Sequence, residues 1–278
     1  MHHFFVSKED FSGDSIFLTE DNYNHAVNVL RLREGERILI SDPDGVDYMC
    51  SVAEICRGGG DTANARYPEP CTAFGDVWLR AVIGEECTEN HELPAEVVLF
   101  QCLPKADKME LIIQKAVELG VTAIVPVQSK NCVVRLDDKK ADAKIRRWQA
   151  IAESAAKQSK RSVIPVVHAP VNWKEALEMS TGFDVRMIPY EEENGLTSMC
   201  EAIISLLPGR RIAVYIGPEG GFDPMEVSMA RRHGVVPVSL GRRILRTETA
   251  AIAVLSMIMI RLEIAADQDI MLEEEQDQ

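Results

Sequence analysis

A glycine-rich loop directly after an apolar segment constrains the fold of this 278-residue chain more than any other feature. Residues Arg211 to Ile216 read as a buried strand, and Gly217-Pro218-Glu219-Gly220-Gly221 follows at once. Glycine permits positive φ and lets a ligand approach bare backbone, whereas Pro218 fixes its own φ and carries no N–H. The segment therefore predicts a stiff strand-end loop that faces a ligand.

A second strand and loop repeat this arrangement further along the chain. Residues 235–240 are apolar enough for a strand, Gly241 opens a turn, and residues 250–262 have the length of a helix. In open α/β sheets, ligands bind beyond the carboxyl ends of the strands, so we expect the two loops to face one ligand. The alternative is that each loop is only an ordinary turn after a strand.

The chain divides into a small β-rich domain, residues 1–75, and a larger domain, residues 76–278. In the first domain, short apolar runs alternate with turn signals such as Pro43-Asp44-Gly45. From residue 76 onward, strands alternate with longer helices, which is the pattern of a mostly parallel sheet with helices on both faces. The predicted fold class is therefore α/β, with loops or a linker at residues 58–60 and 68–75.

The remaining elements follow from apolar periodicity. Strands are predicted at residues 37–41, 46–55, 97–103, 123–127, 163–167 and 183–189. Helices are predicted at residues 22–32, 108–119, 141–158, 173–179, 196–206 and 225–233. Asp107 and Glu110 predict a capping box for the helix that starts at residue 108, and Gly120 predicts its end.

Charge limits the partners of the chain. A net charge of −14 argues against a simple nucleic-acid binder, because phosphate contacts supply most of that affinity. Seven acids and no Lys or Arg follow Arg261, which predicts a solvated, mobile acidic tail at residues 265–278. Between Asp137 and Arg161, bases outnumber acids, and this stretch predicts either an RNA contact or a solvated helix face.

Cysteine usage and hydropathy indicate the compartment. The seven cysteines are dispersed and contain no Cys-x-x-Cys pair, which favours reduced thiols over disulfides or zinc. The histidines have no metal-ligand spacing. No uncharged apolar run reaches the roughly 18 residues of a membrane span, and the first residues lack a leader pattern. We expect a cytoplasmic protein with no metal and no membrane partner.

Several segments carry motifs beyond the two glycine loops. They are KADKME at residues 105–110, QKAVELG at 114–120, RW at 147–148, AAKQSKR at 155–161 and HAVNVLR at 25–31. Together with GPEGG at 217–221 and LGRRILRTETA at 240–250, they resemble the 16S ribosomal RNA uridine N3-methyltransferases of the SPOUT class. The two loops are highly specific as a pair, and the resemblance covers most of the chain.

The resemblance implies a SPOUT-type parallel sheet with a trefoil knot over residues 76–278 and a PUA-like β-barrel that binds RNA over residues 1–75. It implies a homodimer with the last long helix at the interface. The cofactor would be S-adenosylmethionine, and the RNA partner 16S ribosomal RNA or the assembled small subunit. The implied cofactor residues are Pro189, Tyr190, Glu191, Ile216, Gly217, Pro218, Glu219, Gly220, Gly221, Leu240, Gly241, Arg243, Ile244, Leu245, Arg246, Thr249 and Ala250.

Methyl transfer to uridine N3 suggests three catalytic candidates. The N3 proton must leave before nitrogen attacks, so a base or a group that stabilises the anion is expected near the methyl donor. Arg246, Glu248 and Glu219 lie closest to the loops in sequence. The alternatives are that Glu248 complements the helix dipole beside a capping Thr247 or Thr249, and that Arg246 pairs with Glu219 or Glu248.

Basic side chains along the motifs are candidate RNA contacts. They are Arg31, Lys105, Lys108, Arg147, Lys157 and Arg161, with scaffold or solvated roles as the alternative. Trp148 and Trp173 predict either base stacking or core packing. Relatives usually carry Arg where this chain has His3, and residues 1–75 hold thirteen acids against six bases. Both features place RNA affinity mainly on the second domain or on the assembled subunit.

Two other functions compete with methyl transfer. A nucleotide-binding α/β enzyme could use residues 217–221 as a phosphate cradle, but Gly-x-Gly-x-x-Gly spacing is absent and Glu219 would repel phosphate. A catalytically silent RNA-binding factor would leave the cofactor loop without a purpose. For the methyltransferase, Gly220→Val is expected to abolish cofactor binding and leave the protein dimeric.

Overall fold

Residues 1–58, 77–87, 91–136, 138–193 and 195–276 are described by the computed structural model, which divides the chain into two units. The first unit is Met1–His91 with Lys160–Val163, and the second is Glu92–Ser159 with Ile164–Gln278. The predicted loops at residues 59–60 and 68–75 lie outside the described residues.

The first unit is a mixed sheet of six strands. Its ladder runs in the order β1, β4, β5, β6, β3, β2, with β1 parallel to β4 and every other pair antiparallel. The strands are β1 (His2–Phe5), β2 (Phe11–Ser12), β3 (Ser15–Leu18), β4 (Arg37–Ser41), β5 (Asp47–Cys56) and β6 (Trp78–Glu86). The predicted helix at 22–32 is instead a short helix α1 (Glu20–Tyr23) followed by a π-helical turn (Asn24–Val29).

The predicted domain boundary at residues 75–76 is wrong, because β6 belongs to the first unit. β6 pairs antiparallel with both β5 and β3, and its side chains Leu79 and Ala81 are fully buried in the core of that unit. An apolar strand looks the same in sequence whichever sheet it joins, so only its long-range partners reveal the assignment. The boundary lies near His91 instead.

The second unit contains a parallel sheet flanked by helices, which confirms the α/β prediction. Its order is β10, β8, β7, β12, β11, β13, and β9 also pairs with β8. The strands are β7 (Glu96–Cys102), β8 (Ala123–Gln128), β9 (Val166–Val167), β10 (Val171–Asn172), β11 (Val185–Pro189), β12 (Arg211–Ile216) and β13 (Val236–Val238). β12 lies between β7 and β11, and its five residues after Arg211 are buried. The trefoil knot stays a prediction.

Six helices accompany this sheet close to their predicted positions. They are α2 (Lys108–Glu118), α3 (Asp138–Ser159), α4 (Trp173–Met179), α5 (Thr197–Ile204), α6 (Pro224–Arg232) and α7 (Thr247–Gln276). The capping box predicted for α2 is wrong, because the Asp107 side chain makes no cap bond and Glu110 accepts a hydrogen bond from Arg147 at 2.7 Å. Gly120, with φ +88, confirms the predicted end of α2.

The last helix, α7, is longer than predicted, since it continues past residue 262 through Gln276. Residues 263–276 contain no Gly or Pro and are rich in Glu, Ala, Leu, Met and Gln, so helix propensity outweighs the acidic charge. Residues 247–268 of α7 are long and apolar enough to cross a membrane by length and composition. A stripe of these apolar side chains is buried in the protein core, at Ala251, Val254, Leu255, Ile258, Leu262 and Ala265.

Candidate active site

Three loops at the carboxyl ends of adjacent strands enclose one cavity of about 310 Å³. They follow β11, β12 and β13. The two glycine loops follow β12 and β13, and β11 lies between these two strands in the sheet. The two glycine loops therefore face each other across the end of β11, which contributes Pro189, Tyr190 and Glu191. A cavity at strand carboxyl ends is the expected ligand position in such sheets.

Most residues implied as cofactor contacts line this cavity. Gly220 and Thr249 do not, whereas Phe222, Ser239, Arg242 and Thr247 do so without having been predicted. The lining residues that were predicted are Pro189, Tyr190, Glu191, Ile216, Gly217, Pro218, Glu219, Gly221, Leu240, Gly241, Arg243, Ile244, Leu245, Arg246 and Ala250. Ile244 is 85% exposed, so it lies on the surface of the site and not in the core.

Two glycines of the first loop leave room that a side chain would fill. A Cβ on Gly217 would lie 3.1 Å from a ring carbon of Phe222. Gly221 has φ +67, and a Cβ there would lie 3.2 Å from the Glu191 carboxylate. The loop therefore presents bare backbone to the cavity, as a tightly held small molecule requires. These residues fit S-adenosylmethionine as the implied occupant.

The loop after β8 braces the first glycine loop, residues 217–221, and the sequence did not predict this contact. The Asn131 side-chain amide donates hydrogen bonds to the carbonyl oxygens of Gly220 and Gly221, both at 3.2 Å. The Lys130 backbone N–H donates to Glu226 at 2.7 Å, and its ammonium binds Asp223 at 2.5 Å. No local motif marks Asn131, because its partners lie about ninety residues away. Gly220 is thus a braced position outside the cavity.

The start of α7 is fixed by Thr247. Its hydroxyl donates to the Gly217 carbonyl oxygen at 2.7 Å and accepts from the Gln101 side-chain amide at 3.0 Å. Thr247 is buried and therefore joins β7, the glycine loop and α7. It is not the helix cap that the sequence suggested, because its oxygen serves tertiary partners.

An ionic cluster of Lys108, Glu219 and Glu248 lies beside the cavity. The Lys108 ammonium is 3.2 Å from a carboxylate oxygen of Glu219 and 3.2 Å from one of Glu248. The neighbouring carboxylates of Glu248 and Glu219 raise the pKa of Lys108. Burial opposes ionisation of Glu219, but backbone N–H groups of Glu219 and Lys105 and the Lys108 ammonium lower its pKa overall. Lys108 therefore joins the two acids and is not a free phosphate contact.

Arg246 stays outside this cluster. Its side chain is exposed at the cavity, and no acidic side chain among the described residues pairs with it. Lys108 occupies the two acids that could have neutralised Arg246. The structural alternative for Arg246, a pair with Glu219 or Glu248, is therefore wrong.

Replacing Glu219 with Gln tests the charge of this cluster. At neutral pH we expect the melting temperature of Glu219→Gln to fall by roughly 2 °C, because a partly exposed ion pair contributes little. The folded pKa of Glu219 lies below its ordinary value of 4.5, so its contribution is complete above that value and disappears as pH falls through the lowered pKa. Thermal unfolding from neutral pH to about pH 3 measures this difference. Glu201→Gln, on the exposed face of α5, removes a carboxylate outside this cluster and is the matched control.

The predicted RNA contacts fall into three groups. Arg31 and Lys105 are exposed, and within the described ranges neither the Arg31 guanidinium nor the Lys105 ammonium pairs with an acidic side chain. Arg147 pairs with Glu110 at 2.7 Å, and Lys157 pairs with Glu153 at 2.7 Å. Arg161 is only 2% exposed, so its prediction as a phosphate contact is wrong, because a buried guanidinium cannot reach the phosphates of an RNA backbone.

Other candidate RNA contacts are also internal. Trp148 and Trp173 are buried, which confirms core packing and excludes base stacking for them. His3 is 7% exposed and its Nε2 lies 2.6 Å from the Ser41 hydroxyl. His3 therefore occupies a structural position in the first unit. Within the described residues, no group of three or more His, Cys, Asp or Glu side chains is placed to hold a metal ion.

Known proteins share both the fold and the sequence of this chain. One family model, described as an RNA methyltransferase domain, matches residues 91–259, and another, described as an RNA methyltransferase PUA domain, matches residues 18–58. The chain is 36% identical over 250 residues to ribosomal RNA small subunit methyltransferase E of Bacillus subtilis, covering 89% of this chain and 90% of that protein. It is 30% identical to the Mycobacterium tuberculosis protein of the same name, over 92% of this chain and 90% of that protein.

A solved structure agrees with these matches. The crystal structure of a ribosomal RNA small subunit methyltransferase E from Neisseria gonorrhoeae bound to S-adenosyl methionine is 30% identical to this chain. The TM-score is 0.76, with 94% of this chain and 97% of that chain covered. The similarity therefore extends over both units and includes the three loops of the cavity.

Proposed function

The chain belongs to the ribosomal RNA small subunit methyltransferase E family, and from this membership we propose that it methylates N3 of a uridine in 16S ribosomal RNA. The observation that carries the proposal is the cavity at the ends of β11, β12 and β13, with bare glycine backbone on one side and the exposed Arg246 on another. S-adenosylmethionine is the proposed cofactor. The proposed compartment is the cytoplasm, where ribosomal subunits are found.

The residues that would hold the cofactor come from all three loops. Gly217 and Gly221 provide backbone without side chains, and Leu240, Leu245 and Ala250 provide apolar surface. S-adenosylmethionine, when bound, supplies an electrophilic methyl group. The task of the chain is then to bind, to align the uridine and to exclude water.

Arg246 is the residue that we propose to stabilise the uridine anion. A uridine N3–H is a weak nucleophile at neutral pH until its proton leaves, and the charge of the resulting anion is shared by N3 and the two neighbouring carbonyl oxygens. The Arg246 guanidinium lines the cavity and has no acidic partner among the described residues, so it is available to stabilise this anion. Glu219 and Glu248 are proposed as positioning residues, because Lys108 holds both carboxylates in place.

The proposed RNA partner is 16S ribosomal RNA, free or in the assembled small subunit. Arg31 in the first unit and Lys105 in the second are the predicted contacts whose exposed side chains have no acidic partner among the described residues. Arg147 and Lys157 would have to exchange an acidic partner for a phosphate. Support for the RNA role of the first unit comes from the matching PUA domain family model.

We also propose that the protein is a homodimer through α7. Met257, Ile260 and Ile264 are 36%, 51% and 49% exposed, and their spacing of three and four residues places them on one helix face. This face is separate from the stripe that packs into the core of the protein. An exposed apolar stripe of this kind favours burial against a second copy.

Ile260→Glu is expected to convert the dimer to a monomer, because it places a charge in the middle of the exposed stripe of α7. Light scattering after gel filtration measures the mass. Met225→Glu changes a residue on α6 that is even more exposed, at 69%, and should leave the mass unchanged. A dimer that survives Ile260→Glu at micromolar concentration would place the interface elsewhere.

The proposed function is tested by transfer of labelled methyl from S-adenosylmethionine to unmodified small subunits. Nucleoside analysis should find N3-methyluridine at one position of the 16S RNA. A thermal shift with S-adenosylhomocysteine, but not with ATP or NAD, would support the cofactor assignment, because a ligand stabilises the state it binds. RNA binding without transfer or cofactor shift would instead indicate a silent RNA-binding factor.

A further inference from the structure

We propose that Arg242 and Arg243 form a phosphate-binding pair for the RNA strand that carries the target uridine. This inference rests on the proposed function and extends it to the backbone on either side of the base. It changes the role of Arg243, which the family resemblance implied as a cofactor contact. Arg242 had no predicted role at all.

Exposure and missing acidic partners distinguish this pair from the other adjacent arginines of the second unit, which are 146/147, 210/211 and 231/232 and each include a paired member. Arg242 and Arg243 are both exposed, and neither has an acidic partner within the parts of the chain that the structure describes. Arg210 and Arg211 are also adjacent, yet they bind Asp184 at 2.9 Å and Glu96 at 2.6 Å. In a chain with a net charge of −14, two neighbouring arginines without an acid are available to an outside anion.

The backbone under the pair is fixed by local hydrogen bonds. Gly241 has φ +105, and its N–H donates to the Ser239 hydroxyl at 3.3 Å. Ser239 is itself buried, which ties this turn to the end of β13. The two guanidinium groups therefore extend from a turn of defined shape, so less conformational entropy is lost when an anion binds.

The pair lies where the phosphates of a nucleotide would be if its base entered the cavity. Arg242, Arg243 and Arg246 all line the same cavity, and Ile244 between them is 85% exposed. A base that reacts inside the cavity must leave its stack, and the phosphates on either side of it then need to be held. Arg246 is proposed to contact the base itself, so Arg242 and Arg243 remain available to bind the RNA phosphates.

The chemistry of the pair favours phosphate over the other anions at hand. A guanidinium presents a planar fork of donors that matches two phosphate oxygens. The carboxylates that also line the cavity are Glu191 and Glu219, and Glu219 is occupied by Lys108. Glu191 lies on the loop after β11 and shows no pairing with either arginine. RNA phosphate is therefore the anion that we infer neutralises Arg242 and Arg243 at this edge of the cavity.

The double variant Arg242→Gln/Arg243→Gln tests the proposal. Binding to unmodified small subunits is measured between about 50 and 200 mM KCl, and the slope of log K against log salt should become shallower by roughly 1.4 to 1.8. The KM for the subunits should rise about tenfold, as expected for the loss of two charged contacts. The affinity for S-adenosylmethionine, measured by calorimetry without RNA, should stay within about twofold.

Arg210→Gln/Arg211→Gln is the matched control, because it removes two adjacent arginines that already have acidic partners. Its salt slope should equal that of the unaltered protein. An unchanged slope in the Arg242/Arg243 variant, or a large loss of cofactor affinity with an unchanged slope, would overturn the proposal. Absence of methyl transfer by the unaltered protein would refute the proposed function instead, and the binding slopes would still decide the phosphate pair.

Discussion

Gly221→Val is expected to weaken S-adenosylmethionine binding by roughly 10- to 100-fold. Gly221 has φ +67, where a β-branched residue is strained by about 1–3 kcal/mol, and each 1.4 kcal/mol is about tenfold in affinity. The new Cβ would also lie 3.2 Å from the Glu191 carboxylate across the cavity. The loop must therefore shift away from its ligand-binding shape. Calorimetry with the cofactor measures the loss.

Gly209→Val is the matched control for this loss. Gly209 has φ +74 but no atom within 4 Å of its added Cβ, and it lies outside the cavity. The control should lower stability through the same backbone strain and retain cofactor affinity. Equal affinity losses in both variants would mean that strain, and not the shape of the glycine loop, controls binding. Gly220→Val, whose Cβ meets Asn131 at 3.3 Å, should have a smaller effect than Gly221→Val.

Arg246→Ala is expected to reduce the turnover number by roughly 100- to 1,000-fold, the usual effect of removing a group that stabilises a transition-state anion. Cofactor affinity should fall only a few-fold, because the glycine backbone and apolar residues of the cavity remain. Single-turnover methylation with saturating cofactor and subunits isolates this step from binding. Arg232→Ala removes another exposed arginine, on α6 and outside the cavity, and should leave turnover intact. Full turnover by Arg246→Ala would exclude its proposed role.

Local signals in the sequence were sufficient for the longer strands of the parallel sheet and for the two glycine loops, whereas β1, β2, β3, β6 and β10 were not predicted. β12 was predicted with its observed bounds, because an apolar run ends at a glycine there. The implied cofactor loops meet at one cavity because β11, β12 and β13 are neighbours in a parallel sheet. Family membership is confirmed by the comparisons, whereas the catalytic roles of Arg246, Glu219 and Glu248 stay predictions.

Long-range partners account for what the sequence did not predict. The pairing of β6 with β5, the brace from Asn131 to the glycine loop and the ion pairs of Lys108 all join residues far apart in the chain. The local sequence around these residues does not reveal which distant residues they contact. The predicted end of α7 near residue 262 is wrong for another reason: the acidic charge of residues 263–276 indicates a mobile tail, but their helix propensity extends the helix.

The position of Thr247 also determines when this enzyme can first become competent during its own synthesis. Its hydroxyl connects Gly217 to Gln101, two residues that leave the ribosome well before it. A nascent chain that ends before Thr247 can contain every strand of the parallel sheet, yet it lacks both the last lining residues of the cavity and the bond that holds the glycine loop. Methyl transfer by this chain can therefore begin only after nearly all of it has been translated.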